Sequence, residues 1–130
     1  MIAIDTSAWV EYLRDTRSPV CERVDGAVRD GQFATCDAVA MEVLAGAHSE
    51  GHLLELRGLL ARGAVTPVER TDFDEAAEIY RICRRSGSTI RRQIDCLIAA
   101  NAIRTGLPVL HGDADFTSME LHTALCCVDV

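Results

Sequence analysis

Residues 93 to 106 constrain the fold more than any other stretch. Ile94, Cys96, Leu97, Ile98, Ala99, Ala100, Ala102 and Ile103 cover almost the whole circumference of a helix that ends at Gly106. A surface helix carries its apolar residues on one stripe, so a helix that is apolar all round must be buried between other elements. The remaining chain must therefore cover it on more than one side. A chain of 130 residues can build one such core and is too short for two, so a single domain spanning residues 1–130 is expected. Asp95 lies in the first turn of this helix. An isolated buried carboxylate costs several kcal/mol unless something compensates it. The helix dipole offsets only roughly 0.3–1 kcal/mol of that. Two stronger compensations stay open: a bound cation, or a structural salt bridge to Arg92, three residues earlier.

The other elements follow from apolar periodicity. The opening run Met1-Ile2-Ala3-Ile4 is too short for a helix and reads as a strand buried on both faces. It stops at Asp5, Thr6 and Ser7, any of which can cap a helix over Ala8–Leu13. Pro19 to Gly31 predicts an amphipathic helix with a glycine stop, and Phe33–Cys36 a second strand. Asp37 is then the expected N-cap of a helix reaching about His48, with Glu42 beside its apolar face. A helix over Gly51–Gly63 and a strand over Ala64–Val68 follow, the strand at a sheet edge because of Pro67. Thr71 or Asp72 starts a long helix to Gly87. Pro108–His111 reads as strand four, the turn Gly112–Phe116 and a brief helix come next, and Leu125–Val128 reads as a last strand. Strands alternating with helices indicate an α/β fold with a parallel sheet covered by helices on both faces.

Composition narrows the classes of function. Nearly half the residues are apolar and a quarter are charged, a globular profile. Four apolar residues before Asp5, with no basic segment, predict neither a secretory leader nor a membrane span. The six cysteines stand at 21, 36, 83, 96, 126 and 127, without C-x-x-C spacing, and read as small core residues of a protein in a reducing cytoplasm. A net charge of −7 opposes nucleic-acid binding as a sum. Its distribution matters more: every basic residue is arginine, and Arg81, Arg84, Arg85, Arg91 and Arg92 fall in a stretch with no acid. Arginine forks suit phosphate, so this stretch is either a basic surface for RNA or an acidic partner, or a solvated helix face.

Four acids recur in similar settings. Asp5 follows strand one, Glu42 lies in the helix after strand two, Asp95 opens the helix before strand four, and Asp113 follows strand four together with Asp115. In open α/β sheets ligands bind at the carboxyl edge, where these residues converge. Hard carboxylate oxygens in a partly open cluster suit Mg²⁺ or Mn²⁺, which bridge to substrate phosphate. His48, His52, His111 and His122 are scattered without a pattern that demands a role. A phosphoacceptor receiver domain shares the length and acidic site but needs a lysine near its last strand, and this chain has none.

Taken together, the opening I-D-T-S, A-x-E at Ala40–Glu42, D-C-L-I-A-A from Asp95 to Ala100 and D-A-D-F from Asp113 to Phe116 resemble a PIN domain, specifically a VapC-type toxin ribonuclease of a toxin-antitoxin pair. The resemblance implies a PIN-like three-layer sandwich with a five-stranded parallel sheet in the order 3-2-1-4-5. It implies a catalytic quartet of Asp5, Glu42, Asp95 and Asp113, with Thr6 and Ser7 supporting it and Asp5, Asp95, Asp113 and Asp115 holding Mg²⁺ or, in its place, Mn²⁺. Asp115 is either a ligand or a helix cap. The activity implied is metal-dependent endoribonuclease cleavage of transfer or ribosomal RNA, leaving 5′-phosphate and 3′-hydroxyl ends, with Arg84, Arg85, Arg91 and Arg92 on the RNA backbone. A homodimer is implied, as is a cognate VapB-like antitoxin that sets an arginine among the acids. The alternative is a non-catalytic PIN-like module that binds RNA or protein.

Overall fold

The computed structural model describes residues 1–130. Four short strands, β1 (Ile2–Ile4), β2 (Phe33–Cys36), β3 (Ala64–Thr66) and β4 (Val109–Leu110), form one parallel sheet in the order β3-β2-β1-β4. Seven helices flank it: α1 (Thr6–Leu13), α2 (Pro19–Asp30), α3 (Asp37–Ala45), α4 (Glu50–Leu60), α5 (Arg70–Arg85), α6 (Gln93–Thr105) and α7 (Ala114–His122). The α/β class and the strand order from β3 to β4 match the sequence reading, and β3 lies at the sheet edge.

A fifth strand does not form. Leu125–Val128 meets β4 only at a parallel bridge between Val109 and Cys127, through Val109 N–H to Cys126 O and Val128 N–H to Val109 O. β4 itself is two residues long, and the Glu120 carboxylate takes the Cys127 N–H at 2.5 Å, so the ladder has nothing to extend along.

Helix ends also depart from expectation. Asp37 is the first residue of α3 rather than its cap; its carboxylate accepts the Val68 N–H at 3.1 Å and ties α3 to the segment after β3. α3 stops at Ala45, short of His48. α5 begins at Arg70, with Asp72 inside its first turn. Gly31 and Gly106 end α2 and α6 in the left-handed conformation that only glycine adopts without cost.

The core is centred on Trp9, Phe33, Phe116, Ile4, Leu110 and Met119, all essentially inaccessible. Trp9 of α1 stands edge-on to Phe33 of β2, with ring centroids 5.4 Å apart, and so seats α1 on the sheet. α6 buries Cys96, Ile98, Ala99, Ala100 and Ala102, while Ile94, Leu97 and Ile103, expected to be covered too, stay partly exposed. Cys21, Cys36, Cys83 and Cys96 are buried free thiols; Cys126 is exposed. No helix is long and apolar enough to cross a membrane.

Candidate active site

The parallel pairing of β1 with β4 brings the tips of the two strands together. The Asp5 N–H donates to Leu110 O at 3.0 Å, so both strands end together. Asp5 caps α1: its Oδ2 accepts the Ser7 N–H at 2.9 Å and the Ser7 hydroxyl at 2.5 Å. Ser7 Oγ in turn accepts the Gly112 N–H at 2.9 Å, which joins the tip of β1 to the loop after β4. Asp5 is 2% exposed, and its Oδ1 has no hydrogen-bond partner. Burial pushes the Asp5 carboxyl up, the Ser7 hydrogen bonds oppose this, and the Glu42 charge adds to it.

α6 contributes Asp95, 1% exposed, and the start of α7 contributes Asp113 and Asp115. One oxygen from each of these three carboxylates lies within 4.8 Å of the others. Asp113, not Asp115, is the helix cap, accepting the Asp115 N–H at 2.9 Å. The Asp115 carboxylate instead accepts the Arg91 N–H at 3.1 Å. Burial raises the Asp95 carboxyl; Arg92 works against that, and the charges of Asp5 and Asp113 reinforce it. Asp5 and Glu42 are not part of that group of three; Glu42, on α3, accepts the Thr6 hydroxyl on its Oε1 at 2.6 Å.

The acid-free arginine stretch divides in two. Arg91 bridges Asp113 (2.7 Å) and Asp115 (3.1 Å), and Arg92 bridges Glu42 (2.9 Å) and Asp95 (2.9 Å). The expected Arg92–Asp95 pair is therefore present, but the arginine is half exposed while the acid is not. Arg84 lies over the Tyr80 ring, 5.6 Å from its centroid, and Arg85 lies 3.6 Å from Glu78. The four arginines thus form no single free patch.

The site fits a divalent cation. Its donors are all carboxylate oxygens, two of the acids are buried, and one buried oxygen, Asp5 Oδ1, is unpaired. Two grooves lead away. One is lined by Thr6, Ser7, Val10, Arg14, Arg92 and Gly112. The other runs from Thr6 and Glu42 over Trp9, Val10, Leu13 and Leu56 and is mostly apolar.

Sequence reasoning missed a third buried acid. Asp72, 2% exposed, accepts from Arg104 Nε at 2.8 Å, from Arg104 Nη2 at 3.1 Å, from Asn101 at 3.3 Å and from the Glu69 N–H at 3.0 Å. Two polar residues, Asn101 and Arg104, at three-residue spacing on an otherwise apolar helix were the available signal.

The PIN domain family model matches residues 2–120. The chain is 44% identical over 119 residues, 89% of each chain, to Ribonuclease VapC11 of Mycobacterium tuberculosis H37Rv. The same identity and coverage hold for VapC ribonuclease Mb1587 of Mycobacterium bovis. Among solved structures, DNA-bound VapBC from Salmonella typhimurium superposes with a TM-score of 0.77 at 20% identity, covering 99% of this chain and 98% of that one.

Proposed function

Because the chain belongs to the PIN domain family, and is close in sequence to VapC ribonucleases, we propose that it is a metal-dependent endoribonuclease acting as the toxin of a toxin-antitoxin pair. One observation carries the metal: Asp5 Oδ1 is a buried carboxylate oxygen without a partner, and its charge is felt by Asp95, which belongs to a tight three-acid group. Asp5, Asp95, Asp113 and Asp115 would hold Mg²⁺, with Mn²⁺ as a substitute. A divalent cation there supplies Lewis-acid polarisation of a phosphoryl oxygen and lowers the pKa of water at the site.

The side chains divide the remaining work. Glu42, fixed by the Thr6 hydroxyl, orients the attacking water and takes its proton. Ser7 holds the Asp5 carboxylate against the loop after β4, so the acids on the two strand tips keep their separation when RNA binds. Arg14, on the groove that begins at Thr6 and Ser7, would contact the RNA backbone near the acids, with Arg84 and Arg85 as further backbone contacts away from that groove. Cleavage leaves 5′-phosphate and 3′-hydroxyl ends.

The partner is a VapB-like antitoxin, in keeping with VapBC complexes among the structural neighbours. Its C-terminal segment would lie in the apolar groove of Val10, Leu13 and Leu56 and place an arginine at Glu42, the acid at that groove's end. The toxin itself forms a homodimer.

The deciding experiment incubates purified protein with structured RNA in Mg²⁺ and in EDTA. Cleavage in Mg²⁺ alone, abolished by Asp5→Asn, supports the proposal. RNA that is bound and left intact in Mg²⁺ identifies a non-catalytic binding module, and cleavage indifferent to EDTA removes the metal mechanism.

A further inference from the structure

Resting on the reading of the acids as a metal site, we propose that Arg91 and Arg92 form a built-in latch: the metal-free protein neutralises its own acids with these two guanidinium groups, and a divalent cation must displace them to bind. The two arginines are adjacent, and between them they engage four separate acids. Arg91 takes Asp113 Oδ1 and Asp115 Oδ2, while Arg92 takes Glu42 Oε2 and both oxygens of Asp95. These carboxylates include all three whose oxygens lie within 4.8 Å of one another. A cation drawn to these carboxylates meets two guanidinium charges already seated on them, and at this spacing like charges repel.

The construction suits release. The backbone of the segment is anchored, by the buried Ile90 side chain and by the Arg91 N–H on Asp115. The arginine side chains themselves are 70% and 52% exposed. Displacement therefore needs only side-chain rotation into water, where a guanidinium keeps its charge and its hydration. The freed forks stand at the mouth of the site, at the place where a phosphodiester would arrive, and Arg92 already lines the groove from Thr6 and Ser7. The same pair thus closes the site without metal and faces the substrate with it.

The test is calorimetric titration of Mn²⁺ into metal-stripped wild type, Arg91→Gln and Arg92→Gln at pH 8 and low salt, where protons compete little for carboxylates. Arg92→Gln should bind Mn²⁺ about tenfold more tightly than wild type, the scale of one charge-assisted hydrogen bond to a half-exposed group. Arg91→Gln should shift in the same direction by less. Unchanged or weaker binding by both variants overturns the latch. A measurement on the wild type covers the case of a variant that fails to fold. The Nε–H signals of Arg91 and Arg92 in nitrogen-15 NMR should move to the positions of free arginine on saturation with Mg²⁺, and signals that stay in place overturn the latch. The two readings fail separately: tightened Mn²⁺ binding without RNA cleavage keeps the latch and removes the ribonuclease, whereas Mg²⁺-dependent cleavage with unchanged affinity removes the latch alone.

Discussion

Asp95 and Asp72 are both aspartates, both essentially buried and both in contact with an arginine, yet their carboxyls are displaced in opposite directions. Asp72 is fully provided for. Burial alone would raise it, but the Arg104 fork, the Glu69 N–H and Asn101 outweigh burial and hold it below the usual carboxylate range. Asp95 has one arginine, anchored half in water, and other acids around it, so burial wins and the carboxyl is raised. Asp5 repeats that pattern, with an unpaired oxygen besides. A buried acid whose hydrogen-bonding capacity is filled by its own chain is part of the framework. One left short of positive charge is a place for something that is not part of the chain.

Substitution should separate the two corners sharply. The largest expected effect is on chemistry: Asp5→Asn or Asp113→Asn should lower Mg²⁺-dependent RNA cleavage by about a thousandfold, the scale of several kcal/mol of lost electrostatic stabilisation. Metal-free melting should hardly fall. A variant that melts much earlier yet still cleaves would move that acid into the framework class.

Next in size, Asp72→Asn should destabilise the fold by about 2–3 kcal/mol, because Arg104, one-third exposed, loses its counter-charge and the donors of Arg104 and Asn101 lose one of the two oxygens they share. Cleavage measured well below its melting temperature should be close to that of the wild type. Loss of cleavage with an intact fold would tie the two corners together.

The comparison also fixes the pH dependence of the metal-free protein. Asp5 and Asp95 have folded-state pKa values above the unfolded reference of about 3.9. The stability they contribute is fully present below that reference and is lost as pH rises through the raised values, because the folded chain holds those protons longer. Asp72 is lowered, so its contribution is present above the reference and is lost as pH falls through its folded value. In EDTA, denaturant midpoints of Asp72→Asn should therefore decline from about pH 4 upward without the acid-side loss seen in wild type. A wild-type midpoint that rises steadily from pH 4 to 7 would contradict the assignment of Asp5 and Asp95.

The smallest effect calibrates the rest. Glu78→Gln removes two solvent-exposed pairs, to Arg81 and Arg85, and should change stability by less than about 0.5 kcal/mol.

Which parts were legible in the sequence follows from the same physics. β1, β2, α2 and α6 have nearly the ends that their apolar runs and glycine stops prescribe, because local patterning and packing agree there. The fifth strand was misread because Leu125–Val128 has strand composition, while strand formation depends on a partner long enough to pair with, and β4 is not. Asp37 stands at a helix start, where capping is the local option, but is taken by the long-range Val68 N–H, whereas Asp72 joins the capping box with Glu69 and also takes the distant Arg104. Of the acids expected to converge, Asp95, Asp113 and Asp115 form one close group, while Asp5 and Glu42 are not part of it. That Arg91 and Arg92 turn onto those acids could be read only in part, since the sequence offered Arg92 to Asp95 but gave no sign of Glu42, 50 residues away, as its second partner.

The most direct test of the central contrast is the melting temperature of wild type and Asp95→Asn at neutral pH, first in EDTA and then in Mg²⁺. Asparagine keeps the size of the side chain and removes a charge that burial disfavours, and the half-exposed Arg92 can return to water. The variant should therefore melt at or above the wild type in EDTA. Mg²⁺ should raise the wild type, because it binds only the folded state, and leave the variant nearly unmoved. A variant that melts several degrees lower in EDTA, and is then raised by Mg²⁺ as much as the wild type, would make Asp95 a framework acid like Asp72.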